Sequence, residues 1–180
     1  MTLELLRGLM HHMEWADARV WSAVAPDPRA CGNDSLIDRL FHLHRTQHAF
    51  LHVWKGETFV LPKRPSFEGA HAIREWAREF YPQANTFVDS LDIQKLSTLV
   101  VMPWADWLME KTTGQAATGV PTLAETILQI TAHSTHHRGQ VNAQLRQVGI
   151  EPPLTDFIAW IWSGRPAPEW PEASATLRPA

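Results

Sequence analysis

Four long stretches of this chain carry apolar residues at helical spacing, with proline or glycine punctuating most of the joins. That pattern most narrows what the chain can fold into. The first, 2–24, places Leu3, Leu6, Met10, Met13, Trp15 and Val20 on a helical period, starts at Thr2 and is stopped by Pro26 and Pro28. The second, 33–56, opens on Asn33, Asp34 and Ser35, all suited to cap a helix, and ends at Gly56. Leu36, Leu40, Leu43, Phe50, Leu51 and Trp54 form its apolar stripe. The third, 67–91, shows Ile73, Trp76, Ala77, Phe80, Ala84 and Phe87 at helical spacing, and Pro82 inside it predicts a kink or break. Residues 97–102 are β-branched and apolar, which predicts a short strand paired with part of 106–112. Pro121, Thr122 and Glu125 open the fourth stretch, which runs to about 148 and closes at Gly149. A short helix is expected at 156–162, followed by a loosely ordered, proline-rich tail over 164–180. The expected fold is all-α. It is a four-helix bundle over 1–163, with a short extended or hairpin segment between the third and fourth helices and a short C-terminal helix. Up-down and crossover connections both remain open.

Composition excludes several function classes. A chain of 180 residues suffices for one domain, and 44% hydrophobic with 19% charged residues is an ordinary globular balance. The formal net charge is −3 and Lys and Arg do not cluster, so no nucleic-acid partner is expected. No apolar run is long enough to span a bilayer, and 1–10 lacks a signal-peptide pattern. The single cysteine, Cys31, cannot staple the fold and fits a reducing, cytoplasmic setting, where it reads as structural.

Ten histidines, unevenly placed, are the first sign of chemistry. His133 and His137 stand four apart, which puts both imidazoles on one face of a helix, one turn from each other. Imidazole is a common ligand for divalent metals. The glutamate of a zincin peptidase is missing, because Ser134 follows His133. Two histidines rarely hold a metal alone, and the second helix offers His42, His44, His48 and His52. His44 and His48 flank the apolar stripe, whereas His42 lies roughly 140° from its centre at 100° per residue. Helix geometry by itself therefore points to His44 or His48. His11, His12, His52 and His71 read as ordinary exposed or capping histidines. Arg138 reads as a partner for an acidic residue or a contact for an anionic substrate, and equally as a surface salt bridge of little energetic value. Gly139 reads as a site of close helix contact, and Gln140 as a residue that orients a neighbour. Trp15, Trp21, Trp54 and Trp76 read as core, and Trp160 and Trp162 as cover for the bundle or for a subunit interface, with a homodimer expected.

Several separated elements resemble the DinB-like superfamily. They are Trp15-Ala16-Asp17-Ala18-Arg19, Ser35-Leu36 with His42 seven residues later, Trp54-Lys55-Gly56-Glu57, His133-x-x-His136-His137-Arg138-Gly139-Gln140, and Gly149-x-x-Pro152-Pro153-x-Thr155-Asp156. Their order and spacing over 2–162 carry the resemblance. It implies a divalent metal (Zn, Ni, Fe or Mn) held by His42, His133 and His137, against the preference of helix geometry. Gln47 stands where the family often has a carboxylate, and Gln129 where some members have a further histidine. The resemblance further implies an open, catalytic metal site acting on a small molecule. The foremost chemistry is activation of a low-molecular-weight thiol for transfer to an electrophile. Metal-dependent hydrolysis and a non-catalytic, stress-related binding role are the alternatives.

Overall fold

A computed structural model describes residues 2–172. Among them are seven α-helices and no strand: α1 (Leu3–Val24), α2 (Pro28–Cys31), α3 (Asp34–Lys55), α4 (Gly69–Asp89), α5 (Ala105–Thr113), α6 (Leu123–Gln147) and α7 (Phe157–Trp162). The all-α expectation holds. Local chemistry sets the boundaries. Thr2 Oγ1 accepts from Leu5 N at the start of α1, and Asn33 Oδ1 accepts from Leu36 N at the start of α3. Thr122 and Glu125 form a reciprocal capping box that opens α6. Gly56, at φ 67°, closes α3 in a left-handed conformation that a side chain would strain. The short α2 was not expected. Asp27 caps it and Pro28 is its first residue, so the prolines read as helix stops include a helix start. Helix α4 continues through Pro82 without a break.

The segment between α4 and α6 differs from the expected hairpin. Residues 98–100 are extended, but they pair with the entry to α6. Val100 N donates to Pro121 O and Leu123 N to Thr98 O, each at 2.8 Å, around an isolated antiparallel bridge between Leu99 and Thr122. The expected partner, 106–112, lies within α5. Its helical signal was the i, i+3, i+4 spacing of Trp104, Trp107 and Leu108.

Helices α1 and α3 each pack against both α4 and α6. Two apolar clusters fill the interior. One gathers Met10, Met13, Phe50, Phe80, Ile127 and their neighbours. The other gathers Val20, Trp21, Leu40, Ile73, Val141 and theirs. On every long helix the residues between the clusters include buried polar groups: Asp17, His44 and Gln47, Ser134 and Arg138, with the Tyr81 hydroxyl added from α4. A polar layer therefore crosses the middle of the molecule. Trp160 of α7 is buried against Trp15, whereas Trp162 is 79% exposed. Beyond α7, Trp170 packs against both apolar clusters and its indole N–H donates to Glu14. Residues 173–180 of the proline-rich tail lie outside the described residues.

Candidate metal centre

The three histidines implied by the resemblance converge at the outer edge of the polar layer. His42 on α3 and His133 and His137 on α6 each offer a ring nitrogen within 4.8 Å of the other two. The His42 ring centroid is 4.7 Å from that of His137 and 5.3 Å from that of His133. His133 and His137 are half-buried, and His42 is exposed. The helix-wheel preference for His44 or His48 fails. Both are buried and turned into the protein, His44 against Trp21 and His48 against Trp76. The wheel was centred on the apolar stripe of α3, but the histidines meet beyond that stripe's edge, where α3 faces α6.

The donor set suits a divalent cation. His133 Nε2 and His137 Nε2 lie 3.1 Å apart. That is close to the roughly 3.3 Å between two nitrogens bound at about 2.0–2.1 Å in a tetrahedral shell. Burial is the largest cause that lowers the pKa of all three rings; the Arg45 and Arg39 charges add to it at His42, the hydrogen bond to Gln140 opposes it at His137, and competition with the adjoining rings for a proton adds to it at His133, which falls to about 4. Near neutral pH the imidazoles are uncharged, which is the form that ligates. The buried Nδ1 of His133 has no hydrogen-bond partner among the described residues, so whatever fixes that ring acts at Nε2.

His137 is held from behind. Its Nδ1–H donates to Gln140 Oε1 at 2.8 Å, and Arg39 donates to the same oxygen at 2.7 Å. A guanidinium can only donate, so the amide of Gln140 must present its oxygen there. That oxygen in turn fixes the Nδ1–H tautomer of His137 and leaves the Nε2 lone pair facing His133. The Gln140 amide nitrogen donates to His136 Nε2 at 3.0 Å, so His136 sits one step outside the triad. Gln140 thus orients a neighbour, as its place in the sequence suggested. Gly139 is exposed, with open space where a Cβ would stand, so it makes no close helix contact.

A model of the DinB family matches residues 9–170. The chain belongs to the DinB family. No curated protein matches it.

Behind the triad of this DinB chain lies a buried network that joins all four long helices. Arg138 NH1 donates to Asp17 Oδ1 at 2.8 Å, both side chains being 2% exposed. Arg138 is therefore a buried partner of an acid, and neither a surface ion pair nor a substrate contact. The other oxygen, Asp17 Oδ2, accepts from the Tyr81 hydroxyl and from Gln47 Nε2. Gln47 Nε2 also reaches Ser134 Oγ at 3.1 Å, and its carbonyl accepts from His44 Nδ1 at 2.8 Å. Trp21 donates to His44 Nε2 at 2.9 Å. Gln47 can stand where a carboxylate is common because Asp17 already balances Arg138, and a second buried negative charge there would lack a cation. Ser134 and Arg138 immediately follow His133 and His137, so the network sets the register in which α6 presents the triad. Sequence reasoning missed it. Its one signal was polar residues interrupting apolar faces, as Asp17 does between Met13 and Val20.

His12, expected to be an ordinary exposed or capping histidine, is 5% exposed and donates through Nε2 to Thr155 O at 2.9 Å, which ties α1 to the segment before α7. Cys31 donates weakly to Val24 O, and burial raises its thiol pKa, in keeping with a structural role.

His48 gives a pH test of stability. Its Nε2–H donates to Trp76 O at 2.9 Å, the ring is stacked 4.3 Å from that indole, and burial pushes its pKa down to about 4. The unfolded chain holds this histidine near 6.5. Below that pH the unfolded state binds the proton and the folded state does not, so acidification from about 6.5 toward 4 removes stability. At pH 5 the expected loss from His48 alone is about 2 kcal/mol. Denaturant unfolding of the wild type and His48→Gln at pH 7 and pH 5 measures it. The variant should show the smaller decline, with His12 and His44 sustaining the remainder because burial lowers both. Equal declines would mean that His48 protonates without opening the structure.

Proposed function

We propose that this DinB chain is a metal-dependent enzyme with an open three-histidine site, in which His42, His133 and His137 are the ligands and a low-molecular-weight thiol is the activated substrate. The observation that carries the reading is the meeting of three imidazoles from two helices at a partly exposed position. Three protein ligands leave room for a substrate atom, as catalytic sites do, whereas closed structural sites use four. When bound there, a divalent ion supplies Lewis acidity that lowers the pKa of a thiol or water and polarises a carbonyl.

The chain's own residues do the rest. Arg39 and Gln140 hold the tautomer of His137, and the Asp17–Arg138 network holds the register of α6. Exposed His42 leaves the site approachable from solvent. In the proposed reaction the thiol gives up its proton to solvent, its sulfur bonds to an electrophilic carbon, and the leaving group departs from that carbon with the bonding pair. Contacts of Arg39 with Gln140, Gln47 with Ser134 and Trp54 with Thr126 run α3 antiparallel to α6, and with the packing of α1 and α3 on both α4 and α6 they support a four-helix bundle over 1–163. We also place the protein in the cytoplasm as a homodimer. The lone Cys31 supports the first, and exposed Ile158 and Trp162 on α7 support the second. No described helix is long and apolar enough to cross a membrane.

The test reloads protein with zinc, nickel, manganese or ferrous iron and offers a panel of small thiols with monochlorobimane. Thioether formation that depends on metal and is lost on chelation is expected. Rates unchanged by metal would overturn the reading. Metal-dependent cleavage of 4-nitrophenyl acetate without any thiol would replace it with hydrolysis.

A further inference from the structure

A cavity of about 480 Å³ opens between α3, α5 and α6. Phe50, Met102, Trp104, Leu108 and Met109 line it, and so does Gln129. Its volume falls in the range of ligand pockets, about 300–1,000 Å³. Gln129 lies one turn before His133 on the same face of α6, about 6 Å along the helix axis. The cavity therefore reaches to within one helical turn of His133 along α6.

The wall chemistry selects the occupant. Trp104 meets Phe50 edge-on at 5.5 Å, and two methionines give the wall a soft, adaptable surface. The hydroxyl of Thr126 is already used, accepting from Trp54 Nε1 and donating to Leu123 O. Glu125 is engaged by the backbone N–H and hydroxyl of Thr122, and its carboxylate would repel an anion. An anionic body would find no counter-charge, whereas an aryl or alkyl body meets apolar surface on most sides.

Helix α5 adds an independent observation. It has nine residues and none is buried. Isolated helices shorter than about 12–15 residues are marginal in water. Leu108 and Met109 nonetheless face the cavity while 44% and 37% exposed. An apolar occupant would cover both.

We propose that this cavity binds the uncharged aryl or alkyl body of a substrate whose reactive group reaches the histidine triad. The reaching part rests on the metal-site reading above; the cavity part does not. Two measurements separate them. In metal-free protein carrying 13C-methyl methionine, propylbenzene should shift the Met102 and Met109 methyl signals and leave those of Met10 and Met13, buried in the core, in place. In cobalt-loaded protein, 3-phenylpropanethiol should bind at least about ten-fold more tightly than propanethiol, read from sulfur-to-cobalt charge-transfer absorption. Leu108→Asp with Met109→Asp should erase that difference and leave propanethiol binding unchanged; neither residue is in the core, so the fold should survive. Absent or indiscriminate methyl shifts would overturn the cavity as a binding site. Selective shifts with no gain for the arylalkyl thiol would overturn its link to the triad. Failure to bind cobalt would count against the metal site, while the methyl titration still decides the cavity.

Discussion

His137→Ala, and separately His42→Ala, should reduce zinc affinity by more than about 100-fold while the helical circular dichroism stays that of the wild type. The wild type should bind close to one equivalent, measured by elemental analysis after gel filtration and by competition with a chromophoric chelator. The bound reaches beyond the 10–100-fold typical of residues that only orient a ligand, because each variant removes a nitrogen from a set of three. Gln140→Leu supplies the contrast. It leaves three imidazoles but frees the His137 tautomer, so its loss should fall within about 10–100-fold. His136→Ala removes an exposed ring outside the triad and should leave zinc binding unchanged. Retention of metal by both His42→Ala and His137→Ala, or its absence from the wild type after reloading, would sink the three-histidine site.

The largest effect on stability is expected at the buried ion pair. Asp17→Ala strands the guanidinium of Arg138 in the interior and removes an acceptor from Tyr81 and Gln47. Removing one member of a buried pair costs about 3–5 kcal/mol, against a total of roughly 5–15 kcal/mol for a domain. The midpoint of thermal unfolding should fall by roughly 10 °C. Arg138→Met strands the carboxylate and should cost a similar amount. The double variant Asp17→Leu with Arg138→Met should lose less than the sum of the two, since neither charge is left alone. Strict additivity in denaturant unfolding would mean that the two side chains act independently despite their 2.8 Å contact.

Three of the four long helices signal at least one end chemically: Thr2, Asn33 and Thr122 as caps, Gly56 and Gly149 as left-handed stops. The short ones were less readable. Pro28 looks like a stop until Asp27 before it is seen as a cap, and the apolar residues of α5 cover too few turns to outweigh a β-branched neighbour. At the site, the pair on α6 was legible from spacing alone, but the third histidine was not. Helix periodicity finds the face buried in the core, and His42 lies off that face because an accessible site must. His44 and His48 fit the stripe for the opposite reason: they are packing groups with hydrogen bonds. The role of Gln47 and Asp17 depends on partners thirty or more residues away on other helices, and only the assembled layer reveals it.

The two backbone hydrogen bonds that join 98–100 to 121–123 hold the ends of the α5 excursion side by side. Its helix contributes nothing to the buried interior. Residues 105–119 therefore form a cassette pinned at its base, whose changes are insulated from the four long helices. Selection can rewrite what roofs the cavity while the histidines and the ion pair beneath them keep their positions, so recognition and architecture are free to evolve at different rates in the same chain.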